Sequence, residues 1–174
     1  MQVGALTTWS KTSGGNYHSL SIKTDGSLWS WGGDGTGQLG LGNTTYYSSP
    51  KQVGSLLTWY SIAGGAQNTI ATKTDGSLWV SGSGLTGVLG LGNTTSYSSP
   101  KQVGSLTNWL NTACGFYCTV VSKTDGTLWS WGLNNAGQLG LGDTTNRSSP
   151  VQIGALTTWL SAATSYKFTT ALLY

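Results

Sequence analysis

The chain repeats itself every 50 residues, and that period restricts the fold more than any other feature of its 174 positions. KTDG occurs at Lys23, Lys73 and Lys123, and SSP ends at Pro50, Pro100 and Pro150. QVG or QIG begins at Gln2, Gln52, Gln102 and Gln152. Residues 23–54 and 73–104 share 25 identities in 32 positions without an insertion. One structural unit is used several times, so any candidate site must be weighed against copies of itself. The units fall at about 2–51, 52–101 and 102–151, with a partial unit at 152–174, in a single repeat domain spanning 1–174.

Within a unit the pattern is all-β. His18 to Lys23 alternates, with Leu20 and Ile22 on one face, and Ser27 to Trp31 is a second short run rich in Trp. Between them, Asp25 can bond its own turn backbone and Gly26 can take the positive φ of a short hairpin loop. Further strands are expected at Trp59–Ala63 and its equivalents and at PKQVG, where Pro50 would start the strand. No segment shows ten residues of helical periodicity. Four short strands per unit at a strict period predict a β-propeller: three full four-stranded blades and a partial blade shared by the termini.

GTGQLG, residues 35–40, has the glycine spacing of a dinucleotide fingerprint. That loop needs a following helix, whose N-terminus carries the pyrophosphate. Here LGNTTYYSSP follows, and the other units keep only the later glycines, from Gly87 and Gly137 onward. The segment is read as a turn.

A Trp-Gly strand, then GQLGLG, then a QVG strand led by Pro resembles the regulator of chromosome condensation (RCC1) family. Lys23–Gly32, Gly37–Gly42, Lys123–Gly132 and Gly137–Gly142 carry the resemblance. The second unit departs from it, with Val80-Ser81 for Ser30-Trp31 and Val88 for Gln38. The resemblance implies a propeller, commonly of seven blades with four antiparallel strands each. The units are also similar to propeller repeats of bacteriophage structural proteins. Three units and the end segments fall short of seven blades, so closure is expected through assembly, with self-association of the terminal half-repeats.

Chemistry is sparsely provided. There are five Asp and no Glu, and Asp25, Asp75 and Asp125 belong to the hairpin turns. The one histidine, His18, aligns with Asn68, Cys118 and Phe168, which reads as a surface or hydrogen-bonding residue. Cys114 and Cys118 lack the second pair or nearby histidine of a metal site, and reduced structural thiols are preferred to a local disulfide. The tryptophans recur with the period and so read as inter-blade packing. The sequons at Asn43, Asn93 and Asn146 have meaning only in a eukaryotic secretory setting. No catalytic group, metal or cofactor is expected.

Charged residues make up 7% of the chain, against roughly 25–35% of a freely soluble domain's surface. Such a surface suits part of a larger assembly or an extracellular protein. A net charge of +3 without a basic cluster argues against nucleic acid. No apolar run approaches the ~18 residues of a membrane span, and MQVGALTTWS is read as carrying no secretory signal.

Function is expected where the copies differ. The variable loop positions are Tyr17 and His18, Asp34, Tyr46 and Tyr47, Tyr97, Tyr117, Asn134 and Asn135, and Arg147. Tyr, Asn and Arg on loops suit recognition. The chain is thus expected to be a non-enzymatic structural or binding module with protein partners, most simply a phage tail, fibre or capsid-associated component of the virion. An extracellular or cell-surface location is the alternative, and a host-surface glycan a further partner. The resemblance also implies a second role, as a propeller that binds and regulates or inhibits an enzyme.

Overall fold

A computed structural model describes residues 8–164 and 169–173. The chain builds three four-stranded antiparallel meanders and a two-stranded sheet, in sequence order. The first blade is β1 (Trp9–Gly14), β2 (His18–Lys23), β3 (Leu28–Gly32) and β4 (Tyr47–Gln52). The second is β5 (Trp59–Gly64), β6 (Asn68–Lys73), β7 (Leu78–Gly82) and β8 (Tyr97–Gln102). The third is β9 (Trp109–Cys114), β10 (Cys118–Lys123), β11 (Leu128–Gly132) and β12 (Arg147–Gln152). β13 (Trp159–Thr164) then pairs with β14 (Thr169–Leu173). The expected propeller blades are present. The amino-terminal QVG segment and Phe168 lie outside the described residues.

Local chemistry explains each hairpin. Asp25 Oδ1 accepts the Ser27 backbone N–H at 2.9 Å and its hydroxyl at 2.6 Å, and Gly26 takes φ +81°. Asp75 and Asp125 repeat the arrangement with Ser77 and Thr127. The hydroxyl next accepts the indole N–H of Trp29, Trp79 or Trp129. The bonds donated by Ser27, Ser77 and Thr127, hydroxyl first and then backbone N–H, hold the Asp25, Asp75 and Asp125 carboxyls below the usual carboxylate range.

One sequence expectation is corrected. Pro50 does not start its strand but is the fourth residue of β4. The β3–β4 register shifts between Ser30 and Gly32, so Pro50 lies in an irregularity on an edge strand, where its missing N–H breaks no ladder bond.

The blades are packed by a segment that reads as a simple turn. Gly42 N–H donates to the Ser98 carbonyl of the next blade at 2.8 Å, and Gly92 N–H does the same to Ser148. Leu39 and Leu89 beneath these loops are 1% exposed. Two further bonds recur at the junctions. Thr69 Oγ1 donates to Gln38 O at 2.7 Å, Thr119 to Val88 O at 2.9 Å and Thr169 to Gln138 O at 2.6 Å. Trp59 N–H and Trp109 N–H donate to Gly26 O and Gly76 O of the preceding blade's hairpin. The core fills the junctions with Ile70, Leu78, Val80, Val88, Val121 and Trp131. The Trp131 indole donates to Val88 O at 2.8 Å.

Gly87 and Gly137 isolate the energy of this docking. At Gly87 (φ +79°) an added Cβ would lie 2.5 Å from Ser148 Cα, whereas at Gly137 (φ +75°) its nearest neighbour is Asp143 O at 4.0 Å. Gly137→Ala should cost only the left-handed backbone penalty, about 1–2 kcal/mol. Gly87→Ala adds overlap with the next blade's backbone and should cost about 3 kcal/mol or more. Urea denaturation of the two variants checks the difference.

Candidate functional site

The first strands of successive blades lie against one another, β1 on β5, β5 on β9 and β9 on β13. Their carboxyl ends converge on a pocket of about 410 Å³ lined by Gly14, Gly15, Gly64, Gly65, Gly115 and Phe116, among others. The lining is largely backbone, and at Gly15, Gly64 and Gly65 a side chain has no room. A Cβ on Gly65 would fall 2.9 Å from Gly115 O. The loops at this end interlock, with Asn16 N–H donating to Gly65 O at 3.2 Å and Thr36 Oγ1 to Gln67 O at 3.0 Å.

Several of the variable residues stand around this end. Tyr17 is 65% and Tyr46 70% exposed, and they flank the glycines at 33 and 35, where an added Cβ would meet Tyr17 Cβ and Tyr46 OH, each at 3.1 Å. Glycine at 35 lets the Tyr46 phenol ring lie over bare backbone, and glycine at 33 lets the Tyr17 backbone and Cβ approach closely. In the second blade Leu85, 54% exposed, takes the corresponding loop. In the third, Tyr117 is held edge-on to Phe116 at 4.5 Å, and Asn135 is exposed. Tyr47 and Tyr97, at the starts of β4 and β8, are half-buried and each lies near a lysine, Lys51 at 5.5 Å and Lys101 at 5.6 Å. Arg147 is tied to Asp143 at 2.6 Å, the one ion pair among the described residues.

Three of the expected loop residues are instead interior, which corrects the expectation that they stand on a loop surface. His18 is 3% exposed, and Asp34 and Asn134 are 0% exposed. Thr69 spends its only O–H on Gln38 O, so His18 Nε2, 2.9 Å away, must be the donor in that contact. Its Nδ1 is buried without a hydrogen-bond partner, and burial lowers the imidazole pKa to about 4. A neutral ring in that tautomer cannot take a proton from Thr69. Asp34 and Asn134 hold the GQLGLG loop: each Oδ1 accepts the N–H of the leucine five residues on, at 2.8 and 2.9 Å. Asn134 Nδ2 also donates to Asp143 O and Oδ1. Asp34 has no such donor. Its Oδ2 is buried and unpaired, and desolvation raises its pKa to about 6.

Cys114 and Cys118 are free thiols, pushed up to about 12 and about 11 by burial. Nucleophilic use would require the thiolate, so both are inert at neutral pH. Among the described residues no three His, Cys, Asp or Glu side chains are grouped to hold a metal. No helix among them is long and apolar enough to cross a membrane. The glycine-lined pocket and the inter-blade glycine docking escaped sequence reasoning, because their partners lie about 50 residues apart. The recurrence of glycine at 14–15, 64–65 and 115 was the available signal.

The two buried acids give opposite pH slopes. The folded His18 binds its proton less readily than the unfolded one, so its contribution is complete above pH 6.5 and is lost toward pH 4, about 3 kcal/mol in all. Asp34 retains a proton that the unfolded chain releases, so stability falls as pH rises from 3.8 to about 6. Asp34→Asn copies the third blade and should stabilise by about 1–3 kcal/mol at pH 7. That gain should vanish near pH 4, leaving acid lability that His18→Asn abolishes. Denaturation midpoints from pH 4 to 8 read both effects.

A family model described as regulator of chromosome condensation (RCC1) repeat matches residues 25–72, 75–122 and 125–172. A second model of the same description matches 9–38 and 111–138. No curated protein matches the chain. Among solved structures, Prp20p from Saccharomyces cerevisiae superposes with a TM-score of 0.85 at 20% identity, over 96% of this chain and 44% of that one. Human WBSCR16 gives 0.81 at 21% identity, over 95% and 44%. Yeast RCC1 (Prp20) bound to Kap60 gives 0.83 at 20%, over 96% and 42%. The chain spans less than half the length of these structures.

Proposed function

The chain belongs to the RCC1 repeat family, and from that premise we propose that it is a non-enzymatic module that binds another protein. The observation that carries this reading is the loop end around the glycine-lined pocket. There Tyr17, Tyr46, Leu85 and Phe116 vary between blades while the scaffold beneath them is repeated almost unchanged. Exposed aromatics on rigid elements offer contact area at small entropic cost. The absence of catalysis is supported by chemistry: the imidazole is sealed and neutral, the thiols are protonated, and three of the five aspartates are bound into turns. Prp20p is described by its binding to Gsp1p and histones, which favours a protein partner for a related propeller.

In finer form, the partner belongs to a larger assembly, and a phage virion is the setting that the wording of the repeats and the low charge favour. Self-association is the proposed route of assembly. A host-surface glycan is the remaining candidate ligand for the same loops. Native mass spectrometry over a concentration range should give a discrete oligomer, and a monomer throughout would sink self-association. Proteomics of purified virions should find the chain in the particle.

For the loop end itself, Tyr17→Ala with Tyr46→Ala should weaken partner retention at least about 30-fold, because two aromatic anchors each contribute on the order of 1–2 kcal/mol. Folding should be unaffected, as both side chains are mainly in solvent. Unchanged affinity for the assembly partner, measured by surface plasmon resonance, would move the interface elsewhere.

A further inference from the structure

We propose that the long loop between β3 and β4 of the first blade holds one calcium ion, between the Asp34 carboxylate and the two oxygens of Asn43. The cation site goes beyond the protein-binding reading and does not depend on it.

The third blade shows what this place in the loop requires. Asn134 Oδ1 accepts the Leu139 N–H at 2.9 Å, while its Nδ2 donates to Asp143 O at 2.9 Å and to Asp143 Oδ1 at 3.1 Å. Asp143 Oδ1 also accepts the Thr145 N–H at 2.8 Å. The first blade repeats both anchors. Asp34 Oδ1 accepts the Leu39 N–H at 2.8 Å, and Asn43 Oδ1 accepts the Thr45 N–H at 2.8 Å. With the two ends fixed alike, Asp34 Oδ2 takes the place of Asn134 Nδ2 and faces the Asn43 carbonyl and amide oxygens. The Asn43 amide cannot turn to offer N–H groups, since Oδ1 is engaged by Thr45 and Nδ2 donates to the Tyr47 hydroxyl at 3.3 Å. Three oxygens therefore converge where the third blade has two oxygens and a donor. Asp34 is fully buried, and its Oδ2 has no hydrogen-bond partner.

No side chain supplies the missing charge. Among the described residues the one ion pair joins Arg147 to Asp143, so neither lysine nor arginine neutralises Asp34. The second blade has Gly84 at this position, and an added Cβ there would overlap the Thr95 carbonyl and the Thr94 backbone. Its loop closes over the space that the Asp34 side chain fills. Each blade thus has its own solution, a carboxylate, a closed backbone and an amide, and only the first is short of positive charge.

A buried carboxylate set against two neutral oxygens is costly unless a cation lies between them. The donor set selects the ion. All three ligands are oxygens, with no imidazole or thiolate to favour a transition metal. Two of them are carbonyls, one from the backbone and one from an Asn side chain, which calcium takes readily beside a carboxylate. Magnesium gives up its water reluctantly and suits such a site less. The equivalent atoms of the third blade stand 2.9 and 3.1 Å apart, a spacing suited to adjacent ligands on an ion with bonds of about 2.3–2.6 Å. Asn43 is half-buried, so water can complete the coordination from the solvent side.

Terbium(III) luminescence of the full chain tests the proposal, because Tyr47 touches Asn43 and can sensitise an ion bound there. Calcium should displace terbium with a dissociation constant of about 1 mM or tighter, and magnesium should compete at least about 10-fold more weakly. At pH 7.5, about 10 mM calcium should raise the thermal midpoint by about 3 °C or more over the value in EDTA. Asp34→Asn should abolish both effects in a folded protein, since the third blade already accommodates Asn at this position and its amide would meet the Asn43 oxygens directly. Asn43→Asp adds a second carboxylate and should tighten calcium binding at least about 10-fold. Absence of calcium binding, magnesium binding as tight as calcium, calcium effects that persist in Asp34→Asn, or an affinity unchanged in Asn43→Asp overturns the proposal.

Discussion

The structure depends on glycine without side chains at the blade junctions. The loop from Gly37 to Gly42 lies against the backbone of β8, and the loop from Gly87 to Gly92 against β12, closely enough to form direct N–H to carbonyl bonds. A backbone-to-backbone contact needs no particular side chain on the receiving strand. The same loop can therefore dock on any blade that presents SSP, and the unit can be copied unchanged. Ion pairs play almost no part: one pair is formed among the described residues, so the chain's 7% charge is compatible with tight packing. Cohesion comes from the buried aliphatic and Trp core and from bonds between neutral groups, which salt screens little.

What was legible in the sequence was local. Asp25, Gly26 and Ser27 specify their hairpin within a few residues, and alternation in 18–23 specifies its strand, so both were readable from one unit. The docking role of Gly37–Gly42 was not, since its partner Ser98 lies in the following unit and nothing in GQLGLG distinguishes a turn in solvent from one pressed against a strand. Pro50 was placed at a strand start because proline removes a ladder donor, but an edge strand with a bulge tolerates it in mid-strand.

The candidate site was legible only in part, for a reason these residues make explicit. Variation between copies reads as a mark of the surface. Tyr17 and Tyr46 fit that rule; His18, Asp34 and Asn134 do not. His18 and Asn68 vary with the partner each meets across its junction, whereas Asp34 and Asn134 bond within their own loops. His18 meets Thr69, whereas Asn68 reaches Cys114 Sγ at 3.4 Å. Trp131 fits over Val88, where the preceding junction sets Ser81 in the corresponding place after Gln38. These are compensating exchanges across a seam, invisible when one unit is compared with the next in isolation.

Seams that tolerate such exchanges differ in kind from the conserved-by-copying stacks beside them. The Lys73–Trp79 and Lys123–Trp129 stacks are alike at both junctions, although the adjoining polar pairs are not. Burial lowers the lysine pKa, and the aromatic faces together with the Asp75 or Asp125 carboxylate offset part of that desolvation cost. A methionine there would fill the same space without that cost. The same stack stands in the first blade as Lys23 over Trp29, so the charge belongs to the repeated hairpin cluster, in which the aspartate two residues on favours the ammonium.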